Sequence, residues 1–314
     1  MKKLPLFFLL WLISLWGSSQ NYSSSIIADS LKANAHSVVR LYAETYHVQN
    51  PGEAIHRIHS VVTVLDERGQ KHATIAVGHD KFTKINDMEA IVYDAFGKQV
   101  KKMKRGDISD INYISNASLF EDDKLKVADL KYAMYPYTVE ATYEVKTTNL
   151  LFYPSWSPQS SAGTSVENSH FEVIVPAEIT LNYKLLNGIS KPKITDLANG
   201  QKSYHWGVQN LPATAPEELA PALANLGPTV YTAPTVFEIQ GRKGKMDTWQ
   251  SLGKFHYELN KDRDVLPENI KQEVQKLVAN ETDIPKKVKK IYEYLQKNTR
   301  YISIQLGIGG WQAF

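Results

Sequence analysis

From Tyr137 to Lys146 apolar and polar residues take turns along the chain. Val139, Ala141, Tyr143 and Val145 fall on one side; Glu140, Thr142, Glu144 and Lys146 fall on the other. A period of two is the repeat of an extended strand, and one polar side means one wet face, the habit of antiparallel sheets. Shorter β-branched and aromatic runs repeat the theme at His59–Leu65, Ala73–Val77, Ala90–Tyr93, Val100–Met103, Phe171–Val175, Leu181–Leu186 and Ser203–Val208. Asp66-Glu67-Arg68-Gly69 and Asp94-Ala95-Phe96-Gly97 each sit between two such runs and read as hairpin turns, with glycine available for positive φ. Many short strands with close turns predict a mainly β chain, an antiparallel β-sandwich occupying residues 21–245.

The texture changes twice. Pro212, Pro216, Pro221, Pro228 and Pro234 exclude regular helix over 211–234 and predict an extended connector on the domain edge. A last strand follows at Val236–Gln240, and Gly241 to Lys245 marks the boundary. Beyond it the pattern is helical. Asp247 or Thr248 can cap a helix running to about Leu259. Pro267 opens a second, with Ile270, Val274, Leu277 and Val278 on one face. Asp283 and Pro285 suit the start of a third, striped by Val288, Ile291, Tyr292 and Leu295 and ending near Asn298. Tyr301–Ile304 reads as a strand.

The chain has 314 residues and no cysteine. The length allows about two domains. Without cysteine there is no disulfide, thiolate-bound metal, iron–sulfur cluster or thiol nucleophile. The net charge of +3 is too small to predict a nucleic-acid partner. Nothing in the sequence calls for a cofactor.

Met1-Lys2-Lys3, the apolar run Leu4–Trp16 and the small polar Gly17-Ser18-Ser19-Gln20 have the order of a secretory signal peptide over residues 1–20. An uncleaved N-terminal anchor is the alternative. The apolar run is short for a membrane span, and no later segment has the length for one. Without Lys2 and Lys3, 34 basic residues face 33 acidic ones, a net charge of +1. The expected product is exported, to the periplasm, the outer membrane or the exterior, with no membrane span.

Familiar catalytic motifs are missing. Gly241-x-x-Gly244-Lys245 is too short for a phosphate loop, and Met246 stands where Ser or Thr would bind magnesium. Gly307-x-Gly309 lacks the third glycine of a dinucleotide fingerprint, and no Gly-x-Ser-x-Gly elbow occurs. His56 and His59, three apart on a predicted strand, point to opposite faces and do not make a metal pair. Lys98, Lys101, Lys102, Lys104 and Arg105 read as solvated surface. Acidic residues are too many to single out a glycosidase pair. The stretch Leu150–Pro158 can stack on glycans or peptides through Tyr153 and Trp156, or plug the end of a sandwich.

Residues 283–314 resemble the opening of the transglutaminase-like fold, a relative of papain-type cysteine peptidases. The features are an amphipathic helix, Lys297-Asn298-Thr299-Arg300-Tyr301 leading into a strand, and Gly307-Ile-Gly-Gly-Trp-Gln312. Ala313 departs from the proline usual in the branch found in exported Gram-negative proteins. The β-rich part resembles the domain of unknown function that precedes such cores, through Tyr204-His205-Trp206, Asn210-Leu211-Pro212-Ala213 and the Pro-rich connector.

The resemblance implies that 246–314 is the incomplete start of an α+β domain. The family's nucleophilic cysteine, histidine and aspartate would all lie beyond Phe314. Losing such a nucleophile costs about six orders of magnitude in rate, so no catalytic residue is assigned and the chain itself is expected to be inactive. Trp311 and Gln312 would stand near the substrate cleft, with core packing the alternative for Trp311. The β-domain would support or shape access to the catalytic core, with a protein, peptide or glycan as substrate. A self-sufficient exported module binding glycans or peptides is the alternative.

Overall fold

The computed structural model describes residues 22–113, 122–221, 226–300 and 307–312. The expected strand at Tyr301–Ile304 and the signal segment lie outside them. The fold is mainly β, followed by helices. In order it runs through the turn α1 (Asp29–Lys32), then β1 (Ser37–Asn50), β2 (Glu53–Val64), β3 (Thr74–His79), β4 (Thr83–Tyr93), β5 (Gln99–Lys102) and β6 (Ile108–Asn112). Next come β7 (Lys124–Asp129), β8 (Tyr137–Thr147), β9 (Thr164–Val175), β10 (Asn182–Leu186), β11 (Lys193–Asp196) and β12 (Lys202–Leu211). It ends with β13 (Thr229–Ala233), β14 (Val236–Ile239), β15 (Arg242–Lys245), α2 (Trp249–Asn260), α3 (Glu268–Val278) and α4 (Ile284–Asn298).

Eight strands form one large sheet, in the order β11-β12-β9-β1-β2-β8-β4-β5. Every pairing is antiparallel except β1 with β9, which is parallel. The sheet is therefore mixed at one seam, where alternation alone predicts uniform antiparallel pairing. Three small sheets accompany it: β10-β13, β14-β15 and β3-β7-β6.

The period-two pattern of β8 works as expected. Val139 and Ala141 are buried on the face where they meet Val62 and Ser60 of β2 and Val92 and Ala90 of β4. That face carries the two largest cores. One gathers Tyr137, Val139, Ala141, Ala90 and Val92 with Ala128 and Leu130 of the β3-β7-β6 side. The other gathers Tyr46, Phe171, Val173, Trp206, Trp156, Val230, Phe237 and Phe255. The opposite face is mostly polar, apart from a small cluster of Ile27, Leu31 and Val38 at one end. There Glu140 accepts from Tyr22 (2.9 Å) and Tyr93 (2.7 Å) and lies 2.8 Å from His59 Nε2. Burial works to raise the Glu140 carboxyl, but the three hydrogen bonds outweigh it and hold it below the usual range.

Two turn expectations fare differently. Asp94–Gly97 does join β4 to β5; Gly97 has φ 83°, and Asp94 Oδ1 accepts the N–H groups of Phe96 and Lys98. Asp66–Gly69 does not form a hairpin. Asp66 caps a 3-10 helix, Glu67–Ala73, by accepting the Arg68 N–H at 2.9 Å, and Gly69 lies against the His36 carbonyl. This detour takes β3 out of the large sheet and into the three-stranded one. Within the Pro-rich connector, Thr229–Ala233 pairs with β10. The Gly241–Lys245 boundary is itself half of a hairpin, β14-β15.

The helices start close to where their caps predict. Thr248 Oγ1 accepts the Ser251 N–H at 3.1 Å. Asp283 holds the cap position of α4 without a side-chain cap bond, and its carboxylate faces Lys286 at 3.8 Å instead. No helix among the described residues is long and apolar enough to cross a membrane.

Candidate functional site

Between the two cores the large sheet is left uncovered along a groove of about 470 Å³. Its floor comes from β1, β2 and β8. Alternation puts Tyr42 and Glu44 of β1 on this face, and the register sets Ile58 opposite Glu44 and Tyr143 opposite Ile58. One wall is the run Lys71–Ala76; the other is the segment from Ser155 to Pro158.

Glu44 is a charged residue almost wholly buried, at 5% exposure. Such a group needs partners. His56 Nε2 lies 2.8 Å from Glu44 Oε1, one strand over. Burial pushes the Tyr42 phenol far above its ordinary range, and the Glu44 charge, Tyr143 and a hydrogen bond to Glu44 add to the rise. Burial, then the charge of Glu44, pushes Tyr143 up to about 12. Both phenols stay protonated at neutral pH, and Tyr42 bonds to Glu44. At the other end His72 Nε2 sits 3.2 Å from Thr164 Oγ1. Burial and then Lys71 bring the His72 imidazole down to about 4, so it is neutral. The groove has a carboxylate at one end, an ammonium at the other and hydroxyls between.

His56 and His59 do point to opposite faces, one to Glu44 and the other to Glu140. Tyr153 and Trp156 are not an open platform. Tyr153 is 6% exposed and Trp156 is 1% exposed. The Trp156 indole donates to Ser169 Oγ at 3.1 Å and stacks near Phe171. Its backbone pairs with Val230 in both directions at 2.9 Å. They pack in the core, while Phe152, in ring contact with Trp311, is exposed.

Trp311 and Gln312 come together on α2. The Trp311 ring meets His256 (centroids 5.1 Å apart) and Phe152 (5.7 Å), and its carbonyl accepts from Asn260 Nδ2 at 3.3 Å. Gln312 Nε2 donates to the Leu259 carbonyl at 3.0 Å. Below them Phe255 of α2 packs edge-on to Phe237 of β14 at 4.9 Å. This segment thus clamps the first long helix to the β-sheet region.

Metal ligation finds little. Asp80, Asp122 and Asp123 bring carboxylate oxygens within 4.8 Å of one another, the one such group of three among the described residues. Asp80 Oδ1 is already engaged by the Phe82 N–H at 2.8 Å. The groove was invisible in sequence because Glu44 and His56 lie on different strands; the signal that could have found it was a glutamate on the buried parity of β1.

The family described as "Domain of Unknown Function with solved-structure structure (DUF3857)" matches residues 50–215. That is more than half of the chain, and the protein belongs to this family. A search of the curated proteins finds no match. Among solved structures, one described as a "putative protease" from Parabacteroides distasonis superposes with a TM-score of 0.64 at 15% identity, covering 88% of this chain and 53% of that one. The chain thus spans about half the length of that relative, and the likeness establishes a shared fold. Legionella pneumophila aminopeptidase A (TM-score 0.34, 10% identity, 67% of this chain and 23% of that one) and an M1 zinc metallopeptidase from Deinococcus radiodurans (0.30, 11%, 78% and 53%) are too distant to establish one.

Proposed function

We propose that this chain is the front portion of an exported transglutaminase-like protein. In this reading residues 1–20 direct export, 21–245 form the supporting β-domain, and 246–314 begin an α+β catalytic domain whose thiol chemistry lies beyond Phe314. The carrying observation is the clamp on α2. Phe255, Leu259, Trp311 and Gln312 seat the helical segment on the β-sheet region through Phe237 and Phe152. A domain built onto that seat would be oriented by the β-domain, with Trp311 and Gln312 beside its substrate cleft. The exposed stripe of Val288, Ile291, Tyr292 and Leu295 supports further packing there. So does the match to a protein nearly twice as long.

The test is to read the coding sequence past Phe314 and assay the product. A Gly-Asp-Cys motif within about two dozen codons, and amide-bond turnover abolished by a thiol alkylating agent, are expected. The 314-residue chain alone should be inert. A stop codon directly after Phe314, or turnover by the 314-residue chain alone, would overturn the proposal.

A further inference from the structure

One wall of the groove includes a strand edge. β3 is the outer strand of its sheet, bonded on one side to β7. The Leu130 N–H donates to the Ala73 carbonyl at 2.9 Å. In antiparallel pairing alternate residues turn their N–H and C=O outward. With Ala73 turned to β7, Ala76 turns its own groups away from that sheet, and Ala76 lines the groove. The opposite wall is a loop held by a single bridge. Trp156 spends its backbone groups on Val230, and Ser155, Ser157 and Pro158 line the groove around it. Thr74, Ile75 and Ala76 line the β3 wall in succession, as an edge does and a pleated face does not.

We infer that this groove takes an extended peptide, added as a strand on the β3 edge, with an acidic group towards Lys71 and a basic one towards Glu44. A peptide backbone offers donors and acceptors at the spacing of the β3 edge. The charge placement sets the ends. His72, next to Lys71, reaches Thr164, the partner of Ser37 at the start of β1, while Glu44 lies farther along the same strand. Val39 to Glu44 spans about 17 Å of strand, room for about five extended residues. The inference holds whether or not a catalytic domain follows.

The probe is a pool of synthetic pentapeptides with Asp at one terminus, Lys at the other and Thr, Val or Ser between, in both orders. Binding to the whole 314-residue chain is read by fluorescence anisotropy. A member of the pool should bind. N-methylating alternate amides of it should weaken binding about tenfold, and methylating the intervening amides should have no effect. Ala76→Pro removes an outward N–H without touching the β7 ladder and should weaken binding comparably. Lys71→Glu should weaken it several-fold. The methylation scan uses the unaltered chain, so it stands if the proline variant misfolds. The inference is overturned if no pool member binds at millimolar concentration, if binding tolerates methylation at every amide, or if mixed xylo- and cello-oligosaccharides occupy the groove and the peptides do not. Each outcome is read without catalysis and leaves the proposed parent activity untouched.

Discussion

Phe171 is fully buried, with Trp156 at 6.2 Å on one side and Trp206 at 5.7 Å on the other. No residue of α3 or α4 is buried at all, although both have the apolar stripe of amphipathic helices. Val288 is 62% exposed in α4 and Ile291 is 38% exposed. The same kind of hydrophobic pattern is thus consumed in the sheet region and left open in the helical one. Pattern specifies local conformation; burial depends on whether a partner surface exists. α2 lies between the two regimes, with Phe255 and Leu259 sunk into the sheet's core.

The largest contrast should come from cutting into the consumed core. Phe171→Ala is expected to cost about 3–5 kcal/mol, read as a lowered urea midpoint. A loss under about 1 kcal/mol would mean the aromatic stack is not what holds the sheet region. Next is the junction. A Cβ at Gly244 would sit 2.7 Å from Phe237 Cε2 and 2.9 Å from Phe255 Cδ2. Gly244→Ala should therefore cost about 1–3 kcal/mol by overpacking. Hydrogen exchange should accelerate in α2 first and leave β8 unchanged; uniform acceleration would dissolve the distinction between the regions.

The third effect depends on pH. His72 falls from 6.5 to about 4 on folding, first through burial and then through Lys71. Between those values the unfolded chain binds more protons than the folded one. Stability is therefore full above about pH 6.5 and declines as pH drops towards 4, by an order of 1–2 kcal/mol after solvent screening. His72→Gln should flatten that window relative to the parent chain; parallel curves would show that His72 is charged when folded. The smallest effect belongs to the open stripe. Tyr292→Ala should stay within about 0.5 kcal/mol in the 314-residue chain. A larger loss would reveal a partner surface already in place.

Much of this was legible from residue order. Alternation located β8, Asp94–Gly97 located a hairpin, and Thr248 and Pro267 located helix starts. What failed did so for identifiable reasons. Asp66–Gly69 has the composition of a hairpin turn, but the long-range approach of His36 to Gly69 diverts it. The parallel seam between β1 and β9 leaves no local trace, because each strand has ordinary composition. The candidate groove is assembled from β1, β2, β8 and two connecting segments, so no window of sequence contains it. Tyr153 and Trp156 were recognisable as an aromatic pair, but residue type cannot tell a platform from a plug.

The parallel seam carries a kinetic consequence. Ser37 and Thr164, which meet through their hydroxyls at 3.0 Å, are 127 positions apart. β1 finds β2 almost at once through a short turn, yet its other flank stays open until β9 arrives. Closing so long a loop is slow, and a folding chain is exposed to mispairing along that flank meanwhile. In pulse-labelled refolding the amides shared by β1 and β2 should gain protection early, and those of β9 and β12 together and late. The seam thus marks a division in time as well as in space: one half of the sheet serves as the template on which the other is completed.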